Sequence, residues 1–323
     1  MNASFLVMNK PPGVTSHDVV AAVRAVTGLK KVGHTGTLDP FATGVLVLAL
    51  GGATRLIQYL DESLKVYDAT IRFGSTTDTG DLTGRSVREA PVPTAGEERA
   101  RAVLEAMVGE QLQRPPPYSA VKHKGKPLYY YARRGLDIDV PPRKITIYGM
   151  ELLEYNQDTM RVLIRCSKGT YARVLAQEIA EALGSAGHLE ALERPQSGPF
   201  LLENSLDIDS LSKMVAAEPV DDWRAVLMGR GRGEDRVQWR PKQEVREALA
   251  PLVVSPFDVM NHLDAVQVTE GEADKILNGA KLPERNTTAS SEKPYTVVCA
   301  GTLLAVVDRN EKGVKAVRLP RYS

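Results

Sequence analysis

A glycine-rich loop that contains one carboxylate is the part of this sequence best suited to chemistry. The loop runs from Gly33 to Gly44 with the sequence GHTGTLDPFATG, and Asp39 lies just before Pro40. Because a proline disfavours the helical conformation of the residue before it, Pro40 holds Asp39 in an extended geometry. The apolar run Val45–Leu50 predicts a buried strand that supports the loop. A carboxylate held in this way can act as a nucleophile or a general base, although Asp and Pro are also ordinary turn residues.

Three further side chains suit a site around that carboxylate. Tyr67 falls on the apolar side of the alternating run 65–73, and Tyr171 falls on the apolar stripe of a predicted helix at 170–183. Tyrosines in such places are usually core residues, yet a tyrosine at the rim of a core can also stack on a nucleobase. Arg173 is either an exposed surface charge or, beside the loop, an ion-pair partner that keeps the carboxylate ionised.

Several other kinds of chemistry find no support in the sequence. The histidines are scattered, and the two cysteines, Cys166 and Cys299, form no CxxC pair, so no metal site is expected. The glycine-rich loop lacks the Gly-Lys-Ser/Thr of a P-loop, and no GxGxxG is present, so no cofactor is predicted. The segment from Asp78 to Glu89 begins and ends like a calcium loop, but its intermediate ligand positions do not fit.

The composition describes a folded chain with balanced charge. A length of 323 residues suits two domains, and 43% apolar residues are enough for a sizeable core. Lys and Arg number 41 against 40 Asp and Glu, which excludes a uniformly basic coat but not a local basic surface. No run approaches the roughly 20 apolar residues of a membrane span, and Phe5–Met8 is too short for a signal-peptide core. We therefore expect a soluble, cytoplasmic protein that does not contact a membrane.

The pattern along the chain predicts elements of both kinds around the loop. Apolar alternation and apolar runs predict strands, and 3.6-residue periodicity predicts helices. The predicted strands are 4–8, 45–50, 65–73, 144–155 and 160–166, and the predicted helices are 16–28, 97–108 and 170–183. The first of these helices has Ser16 as its expected N-cap and Gly28 at its C-terminal end.

Two domains are predicted, 1–255 and 256–323. The first contains a segment at about 111–144 with eight Lys or Arg and four Tyr, which predicts an exposed arm. Such an arm is either a solvated loop or a surface that contacts nucleic acid. The first domain also has a charged insertion at about 224–250. The second domain has short strands, and its one helix begins with the capping-box pattern Thr269-x-x-Glu272.

Six sequence blocks occur in a fixed order. They are NKPPGVTSHDVV, GHTGTLDPFATGVLVLALGGATR, KVYDATIRFGSTTDTGD, PPPYSAVKHKGKPLYYYARRG, RCSKGTYARVLAQEIAEALG and GHLEALERPQSGPF. Together they closely resemble the bacterial tRNA pseudouridine-55 synthase family over about residues 5–200. A weaker match over 250–322, which includes ILNGAKLP, is similar to the small RNA-binding domain called PUA.

The resemblance implies a fold and a reaction. The implied fold is α+β, with a mixed, mainly antiparallel central sheet, flanking helices and a small C-terminal PUA-like β-barrel. The implied reaction is isomerisation of uridine 55 in the T loop of tRNA to pseudouridine, by base flipping and without cofactor or metal. The family suggests a monomer with no obligatory protein partner, whose C-terminal domain contacts the acceptor stem. The alternatives are a non-catalytic tRNA-binding module or tRNA chaperone, and a guide-RNA-dependent synthase.

The resemblance also assigns roles to residues. Asp39 is the catalytic carboxylate, which attacks C1′, removes a proton from C2′ or adds to C6 of the base. Arg173 pairs with this carboxylate. The other implied substrate-binding residues are Tyr67, which stacks on the flipped base, His34, which contacts the flipped nucleotide or fills the space it leaves, and Tyr171 and Leu192, which line the pocket.

One departure from the family concerns Glu193, where an arginine is common. An acid at this position weakens contact with RNA if it faces the nucleic acid and is harmless if it faces solvent.

Overall fold

The computed structural model describes residues 1, 3–61, 63–217, 240–280, 293–310 and 313–319. Its strands are β1 (Ala3–Lys10), β2 (Val32–His34), β3 (Thr43–Gly51), β4 (Leu64–Phe73), β5 (Ser75–Thr77), β6 (Ser86–Glu89), β7 (Gly109–Gln113), β8 (Lys122–His123), β9 (Lys126–Pro127), β10 (Arg143–Tyr155), β11 (Thr159–Ser167), β12 (Gly187–Ser197), β13 (Phe200–Leu201), β14 (Val253–Val254), β15 (Asp264–Gln267), β16 (Tyr295–Cys299), β17 (Thr302–Asn310) and β18 (Gly313–Arg318).

The helices are α1 (Ser16–Thr27), α2 (Glu97–Ala106), α3 (Leu128–Ala132), α4 (Ala172–Ala182), α5 (Ile208–Val215), α6 (Lys242–Leu249), α7 (Pro256–Val259) and α8 (Glu270–Leu277). Short 3-10 helices occur at Gly52–Arg55, Ile57–Tyr59, Leu202–Asn204 and Ala250–Leu252. In the described part of the chain, no helix combines the length and the apolar character that crossing a bilayer needs.

The described residues form two compact units. The first unit takes its residues from 1–38, 45–61 and 199–323, and the second takes them from 39–44 and 62–198. The boundary that the sequence suggests between a larger domain and a C-terminal domain stays a prediction.

The first unit contains strands from both ends of the chain. β1 lies between β14 and β3, and β2 pairs antiparallel with β3. A second sheet has the order β15–β16–β17–β18, with β15 parallel to β16. Side chains that are distant in sequence share one core, in which Phe5, Val47 and Val306 are buried together. Burial of such apolar side chains is the main stabilising contribution to this unit.

The second unit is built on a mainly antiparallel sheet. Its strands have the order β12–β4–β11–β10–β7, and each is antiparallel to the next. The first two residues of β3, Thr43 and Gly44, pair in parallel with Glu193 and Arg194 of β12. Helix α4 packs on β4 and β12. The start of β3 and the strand β12 thus fix the position at which the glycine-rich loop ends.

Helix α1 confirms the predicted helix but has a different N-cap. The cap is Thr15, whose side chain accepts from the amide of Asp18, while the Asp18 carboxylate accepts from the amide of Thr15. Gly28 ends the helix in the left-handed conformation, as predicted. Because Thr15 caps the helix, the hydroxyl of Ser16 is available for a contact outside it.

The segment between β7 and β10 corresponds to the predicted arm. Pairing between these strands extends to Gln113 and resumes at Arg143, so the intervening residues are 114–142. They contain the short hairpin β8–β9 and helix α3.

The fold class is α+β, as the sequence predicts, and the central sheet is mixed and mainly antiparallel. A C-terminal sheet is present, and the capping box of α8 is formed by Thr269 and Glu272. Its assignment as a PUA-like barrel stays a prediction. The predicted insertion spans 224–250. Its residues 224–239 lie outside the described residues, and most of its residues 240–250 belong to α6.

Candidate active site

Hydrogen bonds fix the chain on both sides of Asp39. The hydroxyl of Ser16 accepts from the amide of Leu38 at 2.9 Å and donates to its carbonyl at 3.1 Å. The amide of Ala42 donates to the carbonyl of Asp39 at 3.1 Å, which closes a turn around Pro40. The turn leaves 32% of the Asp39 side chain exposed. The carboxylate is therefore held by a rigid loop and remains accessible.

Arg173 pairs with Asp39 through two contacts. Its Nε lies 2.9 Å from Oδ2 of Asp39, and its Nη2 donates to Oδ1 at 3.1 Å. The remaining donors reach backbone, because Nη1 donates to the carbonyl of Thr79 and Nη2 to that of Tyr118, each at 2.7 Å. Only 5% of the Arg173 side chain is exposed. Of the two interpretations of Arg173, the ion pair is the one present, and it orients the carboxylate as well as stabilising its charge.

A second carboxylate, Asp81, faces the same guanidinium. Its Oδ2 lies 3.9 Å from Nη1 of Arg173, and the residue is 5% exposed. Its Oδ1 accepts from the hydroxyls of Thr79 and Thr83 and from the amide of Thr83. Arg173 therefore lies between two carboxylates. Sequence reasoning considered Asp81 only within a calcium loop that did not fit, so this partner of Arg173 was missed.

The charge of Asp39 acts on two nearby tyrosines, Tyr67 and Tyr171. The Tyr67 residue is partly exposed, but its hydroxyl group is buried in the protein. Burial raises the pKa of Tyr67, with the guanidinium of Arg194 lowering it and Asp39 raising it to smaller extents. Burial also raises the pKa of Tyr171, the N-cap of α4, and Asp39 contributes in the same direction. Both phenols are therefore neutral near pH 7 and can donate a hydrogen bond.

Strand β12 presents two side chains on the face of the sheet that carries Tyr67. Leu192 pairs with Ala69, which lies two residues after Tyr67 on β4 and so shares its face. Arg194 follows Leu192 by two residues and has the same orientation. Leu192 and Arg194 are 7% and 2% exposed. Arg194 is a further residue that sequence reasoning missed, although it lies in the same block as Leu192.

Glu193 belongs to the opposite face of the sheet. It pairs with Asp68 of β4, which accepts two hydrogen bonds from Arg161 at 2.8 and 2.7 Å. The charge of Glu193 also acts on the Arg161 guanidinium. Glu193 thus faces away from Tyr67, so the acid at this position does not enter the surroundings of Asp39.

The remaining predicted residue, His34, lies in the first unit. It ends β2 and pairs with Leu48 of β3. The second unit therefore contains five of the six predicted residues, of which Arg173 contacts Asp39 directly and Tyr67 and Tyr171 interact with its charge. A role for His34 beside them stays a prediction. Within the described residues, no group of three or more His, Cys, Asp or Glu side chains could hold a metal ion.

The arm carries cations that lie on its own tyrosine rings. Lys126 and Arg134 lie over Tyr130, with Nζ and Cζ at 4.2 and 3.6 Å from the ring centroid. Arg133 lies over Tyr129 at 5.4 Å. These contacts hold exposed charges in place. The aromatic side chains of the arm therefore position cations, which favours contact with a polyanion.

Known proteins resemble this chain over most of its length. Residues 24–172 match the model of the TruB family pseudouridylate synthase (N terminal domain). A Geotalea uraniireducens protein named tRNA pseudouridine synthase B is 40% identical over 308 residues, which cover 94% of this chain and 90% of that protein. A protein of the same name from Francisella philomiragia is 48% identical over 210 residues, which cover 65% and 70% of the two chains.

Among solved structures, a chain in the crystal structure of a Cbf5-Nop10-Gar1 complex is similar, with a TM-score of 0.65 and 25% identity. The similarity covers 99% of this chain and 87% of that chain. This similarity supports the pseudouridine synthase fold. The family model and the relatives define the enzyme class, which is that of a tRNA pseudouridine synthase, an isomerase. Within that class, the chain belongs to the TruB family of pseudouridylate synthases. The family resemblance seen in the sequence blocks is thereby confirmed.

Proposed function

We propose that the protein converts uridine 55 in the T loop of tRNA to pseudouridine, with Asp39 as the catalytic carboxylate. The observation that carries this proposal is the two-point contact between Asp39 and Arg173, which leaves the carboxylate oriented, charged and partly exposed. The names of the relatives support tRNA as the substrate. The resemblance of the glycine-rich loop supports the T-loop position.

The reaction rearranges one nucleotide without adding or removing atoms. The bond between N1 and C1′ breaks, the uracil turns, and a bond forms between C5 and C1′. The proton on C5 is lost, and N1 gains one, so no oxidant or second substrate is consumed. Asp39 attacks C1′, removes a proton from C2′ or adds to C6, and each of these roles requires the ionised carboxylate. The contact with Arg173 supports all three equally.

The target base has to leave its stack before the carboxylate can reach it. Tyr67 offers a partly exposed ring beside Asp39, on which a flipped uracil can stack. Its neutral phenol can also donate to the base. Tyr171 and Leu192 form the wall of the pocket, and His34 contacts the flipped nucleotide or fills the space that it leaves.

In this proposal, the arm and the C-terminal sheet bind the RNA that surrounds the flipped nucleotide. The cations at Lys126, Arg133 and Arg134 are held by tyrosine rings and are exposed, so they can neutralise phosphates of the T arm. The C-terminal PUA-like sheet contacts the acceptor stem in this proposal. Because the chain as a whole carries a formal charge of only +1, binding depends on such local surfaces.

The test uses unmodified tRNA transcript and purified protein. Pseudouridine is mapped by carbodiimide labelling and primer extension, and we expect a single stop that reports position 55. A transcript with cytidine at position 55 is the matched control and should show no stop. If tRNA binds but stays unmodified, the protein is instead a tRNA-binding module or chaperone.

A further inference from the structure

Gln113 connects the base of the arm to the start of helix α4. It is the last residue of β7, where it pairs with Arg143 of β10, and only 2% of it is exposed. Its Oε1 accepts from the amide of Tyr171 at 2.7 Å, and its Nε2 donates to the carbonyl of Tyr171 at 3.3 Å. Because the backbone N–H can only donate and the carbonyl can only accept, these contacts also fix the orientation of the Gln113 amide.

The start of α4 depends on the position of Tyr171. Tyr171 is the N-cap of the helix, and its side chain makes no capping hydrogen bond. Its carbonyl accepts from the amides of Val174 and Leu175 at 3.1 and 3.2 Å, which are the first backbone hydrogen bonds of the helix. Gln113 therefore holds, at both polar backbone atoms, the residue from which the first turn of α4 begins.

The first turn of α4 carries the guanidinium of the site. Arg173 lies two residues after Tyr171 and contacts Asp39 at two atoms. Its Nη2 also donates to the carbonyl of Tyr118, a residue of the arm, at 2.7 Å. Loss of the contact between Gln113 and Tyr171 would therefore free the first turn of α4 to shift Arg173 relative to Asp39.

We propose that Gln113 is a positioning residue for the isomerisation, which acts through the backbone of Tyr171 to hold Arg173 in place beside the catalytic carboxylate. The two ends of its amide are occupied by Tyr171 and the side chain is buried, so its contribution is to geometry. A displacement of about 1 Å at a reacting group can slow a reaction about 100-fold, so even a partial shift of Arg173 is measurable. This inference rests on the proposed function, because it takes Asp39 as the catalytic carboxylate.

The test replaces the amide by a side chain of similar length. Gln113→Met removes both hydrogen bonds, and the full-length variant is measured for single-turnover pseudouridine formation and for affinity to tRNA transcript. We expect the rate to fall about tenfold and the affinity to change little. The matched control is Gln111→Met on the same strand, where Nε2 of Gln111 donates to the carbonyl of Met107 at 2.9 Å. This control should react and bind like the unmodified protein.

A double variant separates positioning from a purely structural role. If Gln113 acts through Arg173, adding Gln113→Met to Arg173→Lys should cause no further loss of rate, because residues that act as a unit have non-additive effects. A purely structural role predicts that the two losses multiply, and that result would overturn the inference. A normal rate for Gln113→Met alone would overturn it as well.

A second variant is available if thermal melting shows that Gln113→Met is unfolded. Gln113→Glu keeps an acceptor for the amide of Tyr171 and, when ionised, has no donor for its carbonyl. It should also react more slowly than the unmodified protein, and the same comparison with Arg173→Lys applies to it. Absence of pseudouridine with the unmodified protein would contradict the proposed function, whereas active unmodified protein with equally active variants would contradict only this inference.

Discussion

At the scale of residues, the guanidinium of Arg173 organises the site. It contacts Asp39 at two atoms, faces Asp81 at 3.9 Å and donates to two backbone carbonyls. A lysine would keep the positive charge but has no planar fork with which to orient the carboxylate. Orientation and charge can therefore be separated by experiment.

We expect Arg173→Lys to lower the single-turnover rate of pseudouridine formation by about 100-fold, because a small misplacement of a reacting group has an effect of that size. Its affinity for tRNA should change little. The matched control is Arg161→Lys, which alters a two-point contact with Asp68 on the opposite face of the sheet. A normal rate for Arg173→Lys would contradict the assigned role.

Cys166 provides a residue-level test of burial in the sheet. Burial raises the pKa of its thiol to about 11, and Cys299 in the C-terminal sheet is partly exposed. Because the thiolate is the reactive form, iodoacetamide at pH 8 should label Cys299 and not Cys166.

The raised pKa also means that the Cys166 thiol favours folding at pH values below about 9, and that this contribution is lost as the pH rises through about 11.

Mass spectrometry of the labelled native protein shows which of the two cysteines has been alkylated. Cys299→Ser should leave no labelled site in the folded chain, and guanidinium should expose Cys166 in the same variant. If Cys166 in the folded protein were labelled at the same rate as Cys299, the side chain of Cys166 would be accessible to solvent and strand β11 would not bury it.

At the scale of elements, the loop of Asp39 depends on a close approach between two strands. Gly44 has φ +100°, and a Cβ on it would lie 2.5 Å from the carbonyl oxygen and 2.6 Å from the amide nitrogen of Arg194. Only glycine therefore allows the start of β3 to pair with β12. This contact fixes the end of the loop relative to the strand that carries Leu192.

Gly44→Ala should lower the free energy of unfolding by about 2–4 kcal/mol, because both the positive φ and the clash oppose it. It should also reduce activity by displacing the loop of Asp39. Gly13→Ala is the matched control, since Gly13 has φ +83° and nothing within 4 Å of a built Cβ. The free energy of unfolding of both variants is measured by chemical denaturation. If the two variants lose equal amounts of it, the clash with Arg194 is not the cause of the loss.

The elements were more predictable from sequence than the contacts between them. The alternation of β4, the end of α1 at Gly28 and the capping box of α8 are local patterns, and the structure contains all three. The cap at Thr15 was missed because neighbouring Thr and Ser have similar capping preferences. The burial of Arg173 was not predictable from spacing, because its partner Asp39 lies 134 residues away and nothing local distinguishes it from the other cations.

At the scale of the whole molecule, the question is whether this chain works alone. The similar chain of known structure belongs to a Cbf5-Nop10-Gar1 complex. In the proposed function, the arm between β7 and β10, with its tyrosine-held cations, serves as this chain's own surface for RNA. We therefore predict a monomer that recognises tRNA without a partner protein.

The nuclease-treated, purified protein should modify bare tRNA transcript without any added protein or RNA. Light scattering in the same buffer should give the mass of one chain. Activity that appears only after addition of a cell extract or a guide RNA would instead favour the guide-dependent mode of action.

The most direct test of the central claim is the Asp39→Asn variant, measured for tRNA binding and for pseudouridine formation with the same preparation. This substitution keeps the size of the side chain and removes its charge and its basicity. We predict binding within about threefold of the unmodified protein and no detectable pseudouridine at position 55, since the carboxylate is needed only for chemistry. Pseudouridine formed by Asp39→Asn at an appreciable rate would contradict the claim that this carboxylate performs the reaction.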